Sequence, residues 1–324
     1  TLLVQVWYPT TVATNSREQK KIIYEYLNKT GDTNSIDFKL HDFGFRGVSS
    51  VETAGIGSAA HLTQFLGTDT IAGLSVARKY YNCDCAGFSI PASEHSTITA
   101  WGKDREVNAY ENMLNSYETG VIACVSDSYD IFNACENLWG EKLKTQILNR
   151  DGTLVIRPDS GDPKSVNLKI LNILGEKFGY TVNDKGYKVL DSHVRIIQGD
   201  GICYETLKEI LQHLEKHKWS ADNIAFGSGG GLLQKMNRDT QKCAFKCCLA
   251  IVDNKEVYVY KDPITDPGKT SKKGWLTVHN INGNWITKSD GEHDFDNNEL
   301  KSVFINGHLL VDHKWNEILE RAKL

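Results

Sequence analysis

Short apolar, β-branched runs alternate along most of this chain with longer segments of helical period. Each run ends in charged or glycine-rich residues. Residues 37–41 lead into Asp42-Phe43-Gly44-Phe45-Arg46-Gly47, and small residues at helical spacing fill 51–64. Gln64-Phe65-Leu66 leads to Gly67-Thr68-Asp69-Thr70 and a helix reaching about Tyr81; Ser89-Ile90-Pro91 leads to Glu94-His95-Ser96-Thr97 and a charged helix near 103–116. Val121–Val125 runs into Ser126-Asp127-Ser128 and a helix from about 129. Thr153–Ile156 runs into Arg157-Pro158-Asp159-Ser160-Gly161 and an amphipathic helix near 163–177. Val194–Ile197 precedes Gln198-Gly199-Asp200-Gly201 and a helix near 204–217; Ile224–Phe226 precedes Gly227-Ser228-Gly229-Gly230-Gly231 and a helix opening at Leu232.

Some seven β-loop-α units in series predict a parallel sheet with helical crossovers. That many consecutive units favour a (β/α) barrel, with chemistry at the C-terminal ends of its strands. A doubly wound sheet has the same pattern and stays open at this level. From about 245 the pattern changes: 245–252 and 256–260 read as paired strands, 275–288 as a hairpin around Asn282-Gly283, and 313–323 as a last helix. Ser16 and Gln19 open a segment, 16–31, that reads as a capped amphipathic helix ahead of the repeats.

Composition narrows the class. The 324 residues are 40% hydrophobic and 24% charged, which excludes a disordered, collagenous or coiled-coil chain. A net charge of −4 argues against a nucleic-acid partner, and GKTSKK at 268–273, the one dense basic run, reads as a solvated loop. The eight cysteines are scattered, several in apolar runs, without the paired CxxC of a zinc site. They read as reduced thiols of a cytoplasmic or nuclear protein. No apolar stretch is long enough to span a bilayer, so no membrane partner is expected. The chain begins at Thr1 in already structured sequence, and an N-terminal region is expected ahead of it.

The strand-end loops carry the candidate chemistry. The glycines at 227–231 lie between an apolar strand and a helix start, where a backbone can approach a phosphate closely. Asp69, Asp127, Asp159 and Asp200 stand at strand ends, where they could hold Mg²⁺ or sugar hydroxyls, or simply cap helices. Arg46, Arg157, Arg195 and Arg238 lie nearby, with forks suited to phosphate. His95, beside Glu94, could be a base, a phosphate contact or a nucleophile, and Phe43 could stack on a planar ring. Together these residues describe an enzyme for an anionic ligand with a sugar diol, without naming a reaction.

The stretches LHDFGFRGVSSVETAGIG (40–57), GTDTIAG (67–73), PASEHSTITAWGKD (91–104), VSDSYDI (125–131), IRPDSGDP (156–163), IIQGDG (196–201) and NIAFGSGGGLLQK (223–235) closely resemble the nicotinamide phosphoribosyltransferase family, type II phosphoribosyltransferases of NAD salvage. The resemblance implies an α/β fold: a (β/α) barrel-like core over 36–240 and a smaller mixed α+β second domain, with 1–35 its remnant and 241–324 completing it. It implies transfer of phosphoribosyl from 5-phosphoribosyl-1-pyrophosphate to nicotinamide, with Mg²⁺ and with ATP as co-substrate, in a homodimer. Phe43 would stack on nicotinamide and Asp69 would accept from its carboxamide. Arg157 would lie near ring and phosphates. Asp159, Gly199 and Asp200 would hold the ribose hydroxyls and the metal-bound substrate, and Gly229, Gly230 and Arg238 the 5′-phosphate. Arg46 and His95 would contact pyrophosphate, with His95 autophosphorylated and oriented by Glu94 and Asp127. Relative to the family the segment 82–86 is short, and an aromatic from the N-terminal region is missing. The alternatives are a nicotinate phosphoribosyltransferase and an inactive fragment that acts as a binding or signalling protein.

Overall fold

The computed structural model describes residues 2–289 and 297–324. It divides into two compact units, Thr1–Gln241 with Lys314–Leu324, and Lys242–His313.

The first unit is built on a parallel sheet of β1 (Leu40–Asp42), β2 (Gly67–Thr68), β3 (Thr119–Val125), β4 (Asp151–Arg157), β7 (Val194–Gln198) and β8 (Ile224–Ser228), in the order β2-β1-β8-β7-β4-β3. A small antiparallel hairpin, β5 (Tyr180–Val182) with β6 (Lys188–Leu190), is inserted before β7 and has no counterpart in the expected pattern. The edge strands β2 and β3 are joined by the segment 88–93. Thr68 N–H donates to Phe88 O at 2.9 Å and Phe88 N–H to Leu66 O at 2.7 Å. Ala123 N–H donates to Pro91 O at 2.9 Å and Ser93 N–H to Ala123 O at 3.0 Å. The sheet therefore closes into a ring, and the doubly wound alternative, which needs two free edges, is excluded. The closing segment pairs only through isolated bridges because Pro91 has no N–H to offer a ladder.

Period-2 alternation sorts the strand residues into two layers. Ile122, Leu154, Ile156, Ile196, Ile224 and Phe226 face outward into the main core, with Leu171 and Leu174 of helix 163–178 and Leu207 and Leu211 of helix 204–216. Ala123, Val155 and Ile197 face inward with Ala225, Ile90 and Phe43. Helix Pro163–Phe178 starts where Asp162 accepts from Ser165 N–H, with Pro163 at its first position, and ends at Gly179, φ 89°.

Several boundaries differ from expectation. The first helix runs from Leu2 to Thr30 through Pro9, and Ser16 is not its cap. Ser16 is buried mid-helix with its hydroxyl 2.9 Å from His61 Nδ1, so a capping signature marks a tertiary contact. This helix packs on helices 51–61 and 204–216, and Trp315 of the last helix, Trp315–Ala322, packs with Leu62, Ala77 and Ala86. Both terminal helices thus belong to the barrel unit, so its bounds are not 36–240. The helix after β8 is a single turn, Gly230–Leu233, and opens before Leu232.

The second unit holds antiparallel hairpins. Leu249–Val252 pairs with Lys255–Tyr258 through Asp253-Asn254, and Thr277–Ile281 pairs with Asn284–Lys288 through Asn282-Gly283, φ 53° and 82°. Positive φ at both turn residues is what the Asn-Gly pair supplies without strain.

Candidate active site

The C-terminal strand ends of the ring converge on one mouth. Phe43 follows β1 and is tied to β8 by its N–H, which donates to Ser228 O at 3.0 Å. Its ring lies against Gly227: a Cβ there would fall 2.0 Å from Phe43 Cε2. The loop behind it hangs on buried Asp42, which accepts from Gly44 N–H at 2.7 Å and from Thr68 Oγ1 at 3.3 Å. Arg157, the last residue of β4, places its guanidinium carbon 5.5 Å from the Phe43 ring centroid. The same guanidinium holds Asp159 by two bonds, Nε to Oδ1 at 3.2 Å and Nη2 to Oδ2 at 2.7 Å. Gly199, after β7, sits beside this pair, where a Cβ would stand 3.0 Å from Arg157 Nε and from Asp159 Oδ1. The result is a slot with an aromatic wall, a fixed cation and glycine floors.

Next to the slot stands His95. Its Nε2 is 3.0 Å from Asp127 Oδ1 and its Nδ1 is 4.0 Å from Asp159 Oδ2. Asp127, at the end of β3, has a nearly buried side chain and uses its second oxygen to accept from Asp159 N–H at 3.1 Å and Ser160 Oγ at 2.5 Å. One carboxylate therefore couples the histidine to the whole 159–160 loop. Beneath it, Trp139 Nε1 donates to Ser126 Oγ at 3.1 Å; Trp139 lies in a π-helical stretch, Ala134–Lys142, and stacks on Tyr110 at 4.2 Å. Widened turns of this kind recur at functional sites. Glu94 does not share this role. It is the N-cap of helix His95–Thr99, and its N–H donates to Thr97 Oγ1 at 3.2 Å.

Asp69, after β2, accepts from Ser89 Oγ at 2.5 Å. It also faces His41: burial pushes the His41 imidazole below its ordinary pKa, and the Asp69 charge pulls it partly back. Asp200 is exposed in the loop after β7, whose backbone is held by Gln198 Nε2 donating to Asp200 O at 2.9 Å, with Asn167 Nδ2 on Gln198 Oε1 at 2.9 Å. None of Asp69, Asp127, Asp159 and Asp200 is a helix cap; the caps are Thr70, Asp130, Asp162 and Cys203. Gly229 is the N-cap of the turn 230–233, and a Cβ on Gly230 would meet nothing within 4 Å.

Some candidates fall outside this group. Arg195 is half-buried at the other end of β7, where Nη1 donates to the carbonyls of Leu190, Asp191 and Val194 at 3.2, 2.8 and 2.7 Å. Its work is structural. Arg238 is exposed and pairs with its neighbour Asp239 at 2.5 Å, and Arg46 is exposed in the turn 45–47. Among the described residues no three His, Cys, Asp or Glu groups converge as a metal cage. Ser89 and Ser160 are site residues that pattern reasoning did not single out, and Gly227, read from the sequence as part of a phosphate-binding run, backs the Phe43 ring instead. The only sequence signal of the two serines is that they lie in strand-end segments.

Residues 38–308 match the nicotinate phosphoribosyltransferase (NAPRTase) family. The chain is 54% identical over 282 residues to a protein of Xanthomonas campestris named nicotinamide phosphoribosyltransferase, a match that covers 86% of this chain and 60% of that one. A protein of the same name from Mycoplasma genitalium is 36% identical over 286 residues, covering 84% and 61%. One from Acinetobacter baylyi is 32% identical over 344 residues, covering 99% and 68%. The chain thus spans about three-fifths of the length of the first two. With the family match running through nearly every strand-end loop of the mouth, this chain belongs to the nicotinate phosphoribosyltransferase family.

Proposed function

We propose that the chain transfers phosphoribosyl from 5-phosphoribosyl-1-pyrophosphate to nicotinamide, giving nicotinamide mononucleotide and pyrophosphate. The observation that carries this reading is the Phe43 ring beside the Arg157–Asp159 pair, 5.5 Å from the guanidinium carbon. It offers a flat aromatic face for the base next to a fixed cation and a carboxylate for the donor. The names of the relatives favour nicotinamide as the base.

In this reading nicotinamide stacks on Phe43 and gives its carboxamide N–H to Asp69. The anionic analogue nicotinate would bring a second carboxylate against Asp69 and be rejected. Asp159, Gly199 and Asp200 take the ribose hydroxyls, Gly229 and Gly230 offer free backbone N–H groups to the 5′-phosphate, and Arg238 closes on it from its exposed turn. Arg46 and Arg157 meet the diphosphate. As the diphosphate leaves, positive charge develops at sugar C1, which the carboxylates tolerate and Arg157 complements at the leaving group. The neutral pyridine nitrogen attacks C1 and needs no general base, so positioning supplies most of the rate. Mg²⁺ carried in by the diphosphate would be met by the oxygen donors Asp159 and Asp200 and would neutralise the leaving charge. ATP would phosphorylate His95, whose Nε2 is oriented by Asp127. We further propose a homodimer in the cytoplasm. The eight cysteines are all free, as a reducing compartment keeps them, and no helix among the described residues is long and apolar enough to cross a membrane.

The test is product formation from labelled nicotinamide, 5-phosphoribosyl-1-pyrophosphate and Mg²⁺, with and without ATP, and with nicotinate in parallel. Nicotinamide-selective turnover supports the reading. Nicotinate-selective turnover would replace it with the reaction that names the family.

A further inference from the structure

We infer that Ser89 is a positioning residue that selects the base, an inference that rests on the nicotinamide reading above. Ser89 lies on the segment that closes the ring between β2 and β3, and its Oγ donates to Asp69 Oδ1 at 2.5 Å across twenty positions of sequence. The segment is registered by its neighbour Ile90, which packs inward with Ala123, Val155 and Ile197. Asp69 is held from the other side by its own backbone, its N–H donating to Asp42 O at 2.9 Å.

An aspartate on an exposed loop is otherwise free to rotate, its terminal torsion being broad. The Ser89 bond occupies one carboxylate oxygen and fixes the plane of the other. An ionised carboxylate only accepts, so the remaining oxygen is presented to a donor and to nothing else. A carboxamide N–H satisfies it and a carboxylate does not. Asp69 thus supplies the charge and Ser89 its direction. Removing the hydroxyl leaves the charge in place but lets it swing, which weakens the preferred base more than the rejected one.

The experiment compares wild type, Ser89→Ala and Ser89→Thr in steady-state turnover with nicotinamide and with nicotinate, with thermal midpoints recorded for each. Expected for Ser89→Ala is a KM for nicotinamide raised about tenfold or more with kcat within about twofold, as loss of one hydrogen bond to a charged group predicts. The nicotinamide-to-nicotinate ratio of kcat/KM narrows by a similar factor, Ser89→Thr restores most of it, and the midpoints stay together. An unmoved ratio in Ser89→Ala overturns the inference. So does a parallel fall in kcat for both bases with a lowered midpoint and no rescue by threonine, which marks a scaffold contact. Wild type that turns over neither base overturns the functional reading, and this inference with it; turnover by wild type with an unmoved Ser89→Ala overturns this inference alone.

Discussion

The Phe43 ring rests on the bare backbone of Gly227, where even a methyl group would fall 2.0 Å from Cε2. The aromatic wall of the slot and the strand that supports it are therefore one unit. The backbone of Phe43 cannot easily retreat, since its N–H is bonded to Ser228 O. Gly227→Ala should push the ring into the slot. Overpacking of this kind costs about 1–3 kcal/mol. We expect a raised KM for the base, at least about tenfold, with the barrel still folded. Initial rates against nicotinamide and a circular dichroism melt check both halves.

Arg157 holds Asp159 by a planar fork, which lysine cannot reproduce. Arg157→Lys keeps the charge and loses the second bond. We expect kcat/KM to fall about a hundredfold, the range for misplaced positioning groups. A variant with near-normal turnover would show that charge alone suffices.

His95→Ala should keep a basal transfer reaction and lose stimulation by ATP. Asp127→Asn leaves the volume unchanged but removes the charge that orients Nε2, and it also disturbs the bond to Ser160 Oγ. It should therefore lose ATP stimulation and part of the basal rate as well. Rates with and without ATP separate the two, and undiminished ATP stimulation in His95→Ala would refute the histidine's role.

Asp69→Ser removes the carboxylate that would repel nicotinate. We expect the nicotinamide-to-nicotinate ratio of kcat/KM to drop at least about tenfold, a difference near 1.4 kcal/mol. The measurement is a competition assay with both labelled bases, and an unchanged ratio would remove Asp69 from base selection.

His61 is fully buried between Ser16 Oγ, 2.9 Å from Nδ1, and Leu40 O, 3.2 Å from Nε2. Burial lowers its pKa from 6.5 to about 4. Between these values the unfolded chain takes up a proton that the folded chain refuses. Stability therefore falls as pH drops below about 6.5 and levels off below about 4, by about 3 kcal/mol if the whole shift acts. His61→Gln should flatten that part of the profile. Urea midpoints at pH 7 and pH 5 for both proteins test it, the variant showing the smaller difference.

The order of β-loop-α units, the polar loops at the strand ends and the Asn282-Gly283 hairpin were all legible in the sequence. Each is a local matter: the period of apolar residues marks strands and helices, and turn residues mark where φ must be positive. Phe43, Arg157, Asp159, Asp127 and His95 could be named because strand-end loops of a barrel share one face. The chain order could not say which of them touch. Glu94 is adjacent to His95 in sequence, yet Asp127, thirty-two positions on, is its partner, because β3 lies beside the closing segment that leads into His95. Ser16 looked like a cap and is a buried contact of His61, since a hydroxyl serves either role and only packing chooses. Closure of the ring through 88–93, the glycine under Phe43 and the carboxylate shared by His95 and Ser160 join residues far apart in the chain. Local propensity determined which elements form and in what order, whereas these pairings were decided only when the sheet curled and brought its edges together.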